Sequence, residues 1–312
     1  MDEQTLAGLS RRLRELVEPI AAAVYFAAEV QWEYKVLGLP TTASTEGDSP
    51  WEVHRAGADY GPQYFCSRSA CMGRLDGPAV AAVFGIFEPN YVTASVREGW
   101  HITTPADILT ARLAGVTAAL ERLLDGIPEG VQRATELLRR GAERIVIGGH
   151  PIASGLLGLP APKHPLGSLW HAAEIIREHR GDSHINAWAG CGLHPIEVVL
   201  LSELERGLPF RSHVVTRKWD AGQIDAAVER LERSGWVDAE QLTHEGAAVR
   251  AAVELATDRQ ERRIIEGIGS DIEELFDLLA PWSARILELR GYPSLPFPTW
   301  SPEPAAGGTD GS

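Results

Sequence analysis

The sequence has few cysteines, no long apolar run and a shortage of positive charge. Only Cys66, Cys71 and Cys191 occur among 312 residues, which is too few for a disulfide framework. Cys66 and Cys71 have a spacing that zinc ligands sometimes show, but no second pair lies nearby to complete a site. We therefore expect the three cysteines to be small buried side chains, and we expect no metal site.

No stretch approaches the roughly 20 apolar residues of a membrane helix, which argues against a membrane protein.

The charge balance is acidic, with 29 lysines and arginines against 43 aspartates and glutamates and a net charge of −14. Nucleic-acid binding needs cationic side chains that displace counterions from phosphates, so this balance disfavours DNA as a partner unless a local basic patch exists. At 44% hydrophobic and 23% charged residues, the composition is typical of a globular protein with a sizeable core. The acidic start, Met1 to Gln4, differs from a secretory signal, and we expect a cytoplasmic protein.

Helical signals dominate the first half of the chain. Apolar residues recur every three or four positions over residues 6–20, which predicts a helix that Pro19 ends or kinks. Residues 40–63 are rich in Pro, Gly, Ser and Thr and predict an exposed loop. Thr104 followed by Pro105 is typical of a helix start, with the threonine as the N-cap.

The middle of the chain has a helix-turn-helix pattern. A helix is predicted over about 168–180, ended by Gly181, and Asp182 then fits the N-cap of a short helix. Residues 191–193 form a predicted turn, and Pro195 begins the next helix. Helix, short glycine-containing turn and helix together are a helix-turn-helix signature, although helical bundles share it.

The segment that follows resembles MarR-type winged-helix proteins. An amphipathic helix over 219–234 leads into Gly235-Trp236-Val237-Asp238, and Leu242-Thr243 then opens another helix. The resemblance implies that residues 216–234 occupy the place of the recognition helix. It also implies that residues 236–242 form the wing and that Thr243 caps the next helix.

We therefore predict an all-α, mainly helical fold with a winged helix-turn-helix C-terminal half and a short β-hairpin wing. Residues 1–163 are predicted to form an N-terminal helical domain and residues 164–294 a winged-helix-like domain. Residues 295–312, rich in Pro and Gly, are predicted to be a disordered tail. A capping box at Ser270–Glu273 predicts the start of a late helix.

Several short motifs resemble the SalK-like family of actinobacterial helix-turn-helix proteins, over about residues 10–290. They are Tyr64-Phe65-x-Ser67-Arg68-x-Ala70-x-Met72-Gly73, Phe87-x-Pro89, Gly99-Trp100, Leu169-Trp170-His171, Arg177-Glu178-His179-Arg180-Gly181-Asp182-x-His184, Arg233-x-Gly235-Trp236, Leu242-Thr243 and Glu254-x-x-Thr257-Asp258. The resemblance implies the fold and says little about activity, because the family label is itself a fold label.

Charge argues against DNA binding by the resembling segment. Residues 216–234 contain four basic and four acidic side chains, and residues 182–258 contain seven basic and thirteen acidic ones. The predicted wing has two carboxylates and no lysine or arginine, although it would approach phosphates. Arg217 and Lys218 are the candidate DNA contacts.

The densest polar chemistry lies between residues 164 and 184, on a helix whose apolar residues predict burial. Buried charges need partners, and such groups acquire shifted pKa values that suit proton transfer or anion binding. The candidate catalytic residues are His171, His179, Asp182 and His184, and the candidate ligand-binding residues are Arg68, Arg177 and Arg180. A structural alternative remains open, in which Asp182 is a cap, Arg177 and Arg180 pair with Glu174 and Glu178 across helical turns, and the histidines are ordinary polar residues. In that alternative Arg68 forms a salt bridge where helices pack.

Three functional hypotheses follow from these observations. The first is a small-molecule-binding protein on a winged-helix scaffold. A stronger version of this hypothesis is an enzyme of specialised metabolism that uses the polar cluster. The second is a MarR-like, ligand-responsive transcriptional regulator, homodimeric through its terminal helices. A purely structural interaction protein is a third reading. The pattern indicates no particular cofactor or substrate.

Overall fold

Helices account for most of the computed structural model, which describes residues 1–41 and 60–289. The helices before residue 160 are α1 (Glu3–Phe26), α2 (Ala28–Val36), α3 (Pro62–Ser69), α4 (Gly77–Phe84), α5 (Pro89–Ile102), α6 (Pro105–Leu124), α7 (Val131–Ala142) and α8 (Pro151–Leu157). Most of the loop predicted over 40–63 and the whole predicted tail lie outside the described residues, and Pro62 already belongs to α3.

The second half adds six helices and one small sheet within the described ranges. The helices are α9 (Pro165–Gly190), α10 (Pro195–Glu205), α11 (Ala221–Arg233), α12 (His244–Gln260), α13 (Arg262–Ile268) and α14 (Ile272–Glu288). Strands β1 (Val237–Asp238) and β2 (Gln241–Leu242) pair antiparallel. Three 3₁₀ turns lie at Ala70–Met72, Val214–Arg217 and Gly269–Asp271. The prediction of a mainly helical fold is therefore confirmed.

Local capping signals place several helix starts as predicted. The hydroxyl of Thr104 accepts a hydrogen bond from the backbone N–H of Asp107, and Pro105 is the first residue of α6. Thr243 caps α12 in the same way, through the N–H of Gly246. Short polar side chains at these positions replace the backbone partners that the first helical turn lacks.

Three local predictions are wrong in whole or in part where tertiary packing or backbone geometry overrides the signal. Of the two outcomes predicted at Pro19, the end of the helix is wrong, since α1 continues to Phe26. Gly181 does not end α9, which runs without a break to Gly190 because its flanking residues are buried against other helices. Ser270 does not open a capping box, since it lies in a 3₁₀ turn that leads directly into α14.

The buried apolar residues form two clusters, and α9 contributes to both. The large core takes residues from Leu6 to Ile176 and again from Ile264 to Ile286. The small core takes residues from Ala187 to Val253. The domain boundary between residues 163 and 164 stays a prediction. The apolar residues of α9 instead belong to the large core in its first part and to the small core in its last part. Helices α13 and α14, which follow the small core along the chain, pack in the large core.

The connection from α10 to the hairpin is held by one carboxylate and one tight turn. Glu203 is fully buried and accepts hydrogen bonds from the backbone N–H groups of Arg211, His213 and Val214 at 2.6 to 2.7 Å. In the hairpin, Ala239 and Glu240 have φ of 44° and 60°, the left-handed conformation that two-residue hairpin turns require. The N-cap Asp220 then starts α11 with a capping box.

No helix in the described ranges combines the length and the apolar character that crossing a membrane demands.

Two glycines at interior helix positions provide a matched test of this packing. A Cβ added at Gly115 in α6 would lie 2.6 Å from Cα of Val30 in α2, whereas one at Gly8 in α1 would meet nothing within 4 Å. We expect Gly115→Ala to lower the free energy of unfolding by about 1–3 kcal/mol, because the two helix backbones must separate. Gly8→Ala should raise it by about 0.5–1 kcal/mol through helix propensity. Urea denaturation measures both, and equal effects would contradict the close α2–α6 contact.

Candidate functional site

Helix α9 holds the short helix α8 at both of its ends. The carboxylate of Asp182 accepts hydrogen bonds from the backbone N–H groups of Ile152 at 3.0 Å and Ala153 at 3.2 Å, in the first turn of α8. At the other end, Nε2 of His171 donates to the backbone oxygen of Leu156 at 3.1 Å. Asp182 is therefore a helix cap, as its residue type predicts, but it caps α8 and not a segment of α9.

The carboxyl of Asp182 is almost fully buried and incompletely paired. The residue is 2% exposed, and its Oδ1 has no hydrogen-bond partner among the described residues. Burial raises the pKa of Asp182 to about 7, and the charge of Glu178 contributes to the rise, while the N–H groups at the start of α8 and Arg68 oppose it. Both protonation states are thus populated near neutral pH.

Glu178, one helical turn before Asp182, has the opposite environment. Arg68 donates to both of its oxygens, at 2.9 and 2.6 Å, Arg177 donates at 2.8 Å and the hydroxyl of Tyr25 at 2.9 Å. Burial alone would raise the pKa of Glu178, but the two guanidinium groups and the hydrogen bonds hold it at about 2. This carboxylate is a permanent charge that joins α1, α3 and α9.

A further turn earlier, Glu174 forms a buried ion pair with Arg112 of α6, and both side chains are 1% exposed. Arg112 also donates to the backbone oxygen of Ser67 at 3.0 Å. Burial raises the pKa of Glu174 to about 6, against the opposing charge of Arg112. Its Oε2 lacks a hydrogen-bond partner within the described ranges. Glu174, Glu178 and Asp182 follow one another at intervals of four residues, and we call them the carboxylate row.

Two stacked histidines, His150 at the start of α8 and His179 of α9, form a separate cluster. The rings of His150 and His179 lie parallel, with centroids 4.0 Å apart. Nδ1 of His179 is 2.8 Å from Oε1 of Glu261, and the hydroxyl of Ser183 lies 3.0 Å from both that oxygen and Nε2 of His150. Burial lowers the pKa of His150, and the adjacent His179 lowers it further. Because Glu261 lies between α12 and α13, this cluster attaches α9 to that junction.

The last turns of α9 carry a third group of contacts, to α1 and α12. Arg180 donates to the hydroxyl of Ser10 and to Asp258, each at 2.9 Å, and to Glu254 at 3.1 Å. Burial lowers the pKa of His184 to about 3, despite the charge of Glu254 3.9 Å away. His184 is therefore neutral at physiological pH.

The exposed face of α11 is acidic, since Asp225, Glu229 and Glu232 lie on it together with Arg233. Two basic side chains of the surrounding segment are paired with carboxylates. Arg230 lies 2.5 Å from Glu197, and Arg211 binds Asp225. A surface of this composition repels phosphates.

The two candidate DNA contacts lie against aromatic rings. Arg217 is 8% exposed, and its guanidinium lies over the rings of Tyr60 and Phe87, 4.7 and 4.8 Å from their centroids. The ammonium of Lys218 is 5.3 Å from the ring centroid of Tyr91. In this conformation Arg217 does not face solvent.

Comparison with known proteins identifies the class of this chain. A model described as a helix-turn-helix family matches residues 10–293. The chain belongs to this helix-turn-helix family. No curated protein and no solved structure matches it. The finer resemblances to SalK-like and MarR-type proteins stay predictions.

In this helix-turn-helix protein, the four predicted catalytic residues lie at three separate contacts. His171 and Asp182 hold α8, His179 binds Glu261, and His184 lies against α12, where its Nδ1 is 3.2 Å from a threonine hydroxyl. No hydrogen bond or ion pair joins any two of the four in the described part of the chain. Their assignment as one catalytic group stays a prediction, and the geometry singles out Asp182.

The predicted ligand-binding arginines separate in the same way. Arg68 and Arg177 meet at Glu178, whereas Arg180 binds the carboxylates of α12. Across residues 1–41 and 60–289, no three His, Cys, Asp or Glu side chains are arranged to hold a metal ion.

Sequence reasoning missed the partners that lie far along the chain. Arg112, Tyr25 and Glu261 contribute to these clusters, and none stands in a recognisable motif. Glu254 and Asp258 carried a signal, because they belong to a motif of the SalK-like resemblance that α12 brings against α9. The periodicity of the carboxylate row was also visible, since four-residue spacing places side chains on one helical face.

The raised pKa of Asp182 predicts a specific pH dependence of stability. The folded protein retains this proton up to about pH 7, while an ordinary aspartate releases it near 3.8. The stability that the protonated form contributes is therefore complete below pH 3.8 and is lost as the pH rises through 7. Asp182→Asn removes this loss, and from pH 5 to 8 we expect wild type to weaken relative to the variant by about 1–4 kcal/mol.

Denaturant unfolding at several pH values measures this difference. Asp277→Asn, at an exposed position of α14, is the matched control and should follow the wild-type profile. A stability difference between wild type and Asp182→Asn that does not change with pH would show that Asp182 titrates as an ordinary aspartate.

Proposed function

We propose that this helix-turn-helix protein binds a small molecule at the contact between α8 and α9, with Asp182 as its polar anchor. The observation that carries the proposal is the buried Oδ1 of Asp182, which has no partner within the described residues. Buried polar atoms are nearly always hydrogen-bonded, and those that are not frequently mark a ligand or a catalytic role. A ligand that hydrogen-bonds Oδ1 satisfies this atom.

The surroundings of Asp182 supply a rigid support for such a ligand. Glu178 and Arg68 are fixed by their bidentate ion pair one turn away. The thiol of Cys71 contacts the first turn of α8, 3.7 Å from the backbone oxygen of Ile152. Since Asp182 is only 2% exposed, entry of a ligand requires the short helix α8 to move.

The titration of Asp182 extends the proposal to proton transfer. A carboxyl with a pKa near 7 serves as general acid or general base at neutral pH, because it gives and takes a proton with little driving force either way. If the protein is an enzyme, we propose Asp182 as its general acid or general base. A catalytic role requires that the bound molecule be converted, which product analysis of the complex detects.

We further infer that α10, α11 and the hairpin form a winged-helix unit that does not serve as a DNA reader. The order of elements and the two-residue hairpin support the winged-helix assignment. The acidic face of α11 and the burial of Arg217 argue against phosphate contact. On this account the unit is a structural part of a ligand-binding protein.

A thermal-shift screen of diverse small metabolites tests the ligand-binding proposal. We expect compounds that raise the melting temperature of wild type. We expect Asp182→Asn to lose most of that shift, because its amide oxygen must accept from the N–H groups of α8, which leaves an NH₂ group in place of Oδ1. The exposed Asp277→Asn variant should retain it. A screen without any stabilising compound, or stabilisation that Asp182→Asn leaves intact, would remove the basis for the assignment.

Regulation of transcription is the second candidate function, favoured by the family match and by the order of α10, α11 and the hairpin. Arg217 and Lys218 remain its candidate DNA contacts, and a homodimer would present two such units.

Electrophoretic retention of genomic fragments at low salt tests DNA binding. We expect no retention by wild type and salt-sensitive retention by Glu229→Lys/Glu232→Lys, because this pair of substitutions reverses the charge of the exposed α11 face. Tight, salt-sensitive binding of DNA by the wild-type protein would make transcriptional regulation the favoured function.

A further inference from the structure

An open cleft lies on the large core, away from α9 and the carboxylate row. It has a volume of about 660 Å³ and is formed by the start of α4 and one face of α5. The side chains that matter for its chemistry are Arg74, Asp76, Thr93, Arg97, Trp100 and His101. The cleft is large enough for a small organic ligand.

The charge of this cleft is opposite to that of the protein. Two arginines and a histidine line it against the single carboxylate of Asp76, in a chain with a net charge of −14. The guanidinium of Arg97 makes no hydrogen bond or ion pair with any described residue, and Arg97 is exposed. Cationic side chains without carboxylate partners inside a concave surface favour an anion.

Hydrogen bonds hold the side chains of Arg74 and His101 in place before any ligand arrives. Nη2 of Arg74 donates to the backbone oxygen of Trp100 at 2.5 Å, which leaves its other nitrogens available. Nδ1 of His101 lies 2.5 Å from the backbone oxygen of Arg97, so that the imidazole donates there and its Nε2 remains open. Such fixed donors lower the entropic cost of binding.

The floor of the cleft is aromatic and rigid. Trp100 is 6% exposed, and its Nε1 donates to the backbone oxygen of Leu75 at 3.1 Å, which fixes the plane of the indole. The two walls cannot separate freely, because Gly77 of α4 packs so closely on Thr93 of α5 that an added Cβ would lie 2.6 Å from Cα of Thr93. The rest of the apolar lining consists of Leu75, Pro78, Ala79 and Val96.

We propose that this cleft binds a small organic anion that carries a planar or apolar group. Arg74 and Arg97 bind the carboxylate or phosphate, and the apolar group lies against Trp100. The proposal is independent of ligand binding at Asp182, because it uses neither α8 nor α9.

Titration calorimetry with benzoate and phenyl phosphate as anionic probes and benzamide as their neutral counterpart tests this site. We expect both anions to bind at millimolar concentration or below, and benzamide to bind at least about ten-fold more weakly, because it lacks the charge that the arginines recognise. Preference for phenyl phosphate over benzoate, or the reverse, identifies the anionic group.

Three variants locate the binding on the protein. Arg97→Gln and Arg74→Gln should each weaken anion binding by about ten-fold. Arg263→Gln, at an exposed arginine elsewhere on the surface, should leave it unchanged, as should Asp182→Asn. Absence of anion binding to wild type, equal affinity for benzamide, or affinity that survives both cleft substitutions would overturn the proposal. Circular dichroism of each variant shows whether loss of binding reflects unfolding.

Discussion

The carboxylate of Glu178 is the charge around which α1, α3 and α9 are positioned. Removing an ionised carboxylate from water costs several kcal/mol, and only well-placed partners offset this cost. Arg68 supplies two parallel hydrogen bonds, and Arg177 and Tyr25 bind the same carboxylate. Each partner comes from a different part of the chain or a different face of α9, so the helices must take one relative arrangement to satisfy the charge. Apolar packing alone tolerates sliding of helices, whereas this geometry does not.

The neighbours of Glu178 show how one helix face contains groups with different chemistry. Its strong pairing keeps Glu178 ionised, and that charge helps to raise the pKa of Asp182 one turn later and of Glu174 one turn earlier. Like charges at four-residue spacing inside a core cannot all ionise at equal cost. Burial, with the charge of Glu178 as a smaller contribution, raises the pKa of both neighbouring carboxyls, and each of them has one oxygen without a partner among the described residues.

The sequence predicted the features that depend on near neighbours. Thr104 and Thr243 act on N–H groups three residues away, and the hairpin depends on the few residues between Trp236 and Thr243, so these elements were predictable. Asp182 was predicted to be a cap, but its partners lie 30 residues earlier, and no local pattern says which helix start will be adjacent. The same limit applies to His179, whose partner Glu261 is 82 residues away. The prediction that Gly181 ends the helix was wrong because helix propensity is weak compared with the burial of the residues on either side, Arg180 and Asp182.

The unbroken course of α9 has a mechanical consequence. At 1.5 Å per residue, its 26 residues form a rod about 39 Å long, anchored in the large core at one end and in the small core at the other. A loop between the two cores would absorb a disturbance, but a continuous helix transmits it. A tilt of about 5° would displace the far end by roughly 3 Å, as rigid-rod geometry at that length requires. The protein thus has a rigid connection between its two cores, and the contacts of this connection with α8, made by His171 and Asp182, lie on either side of its middle.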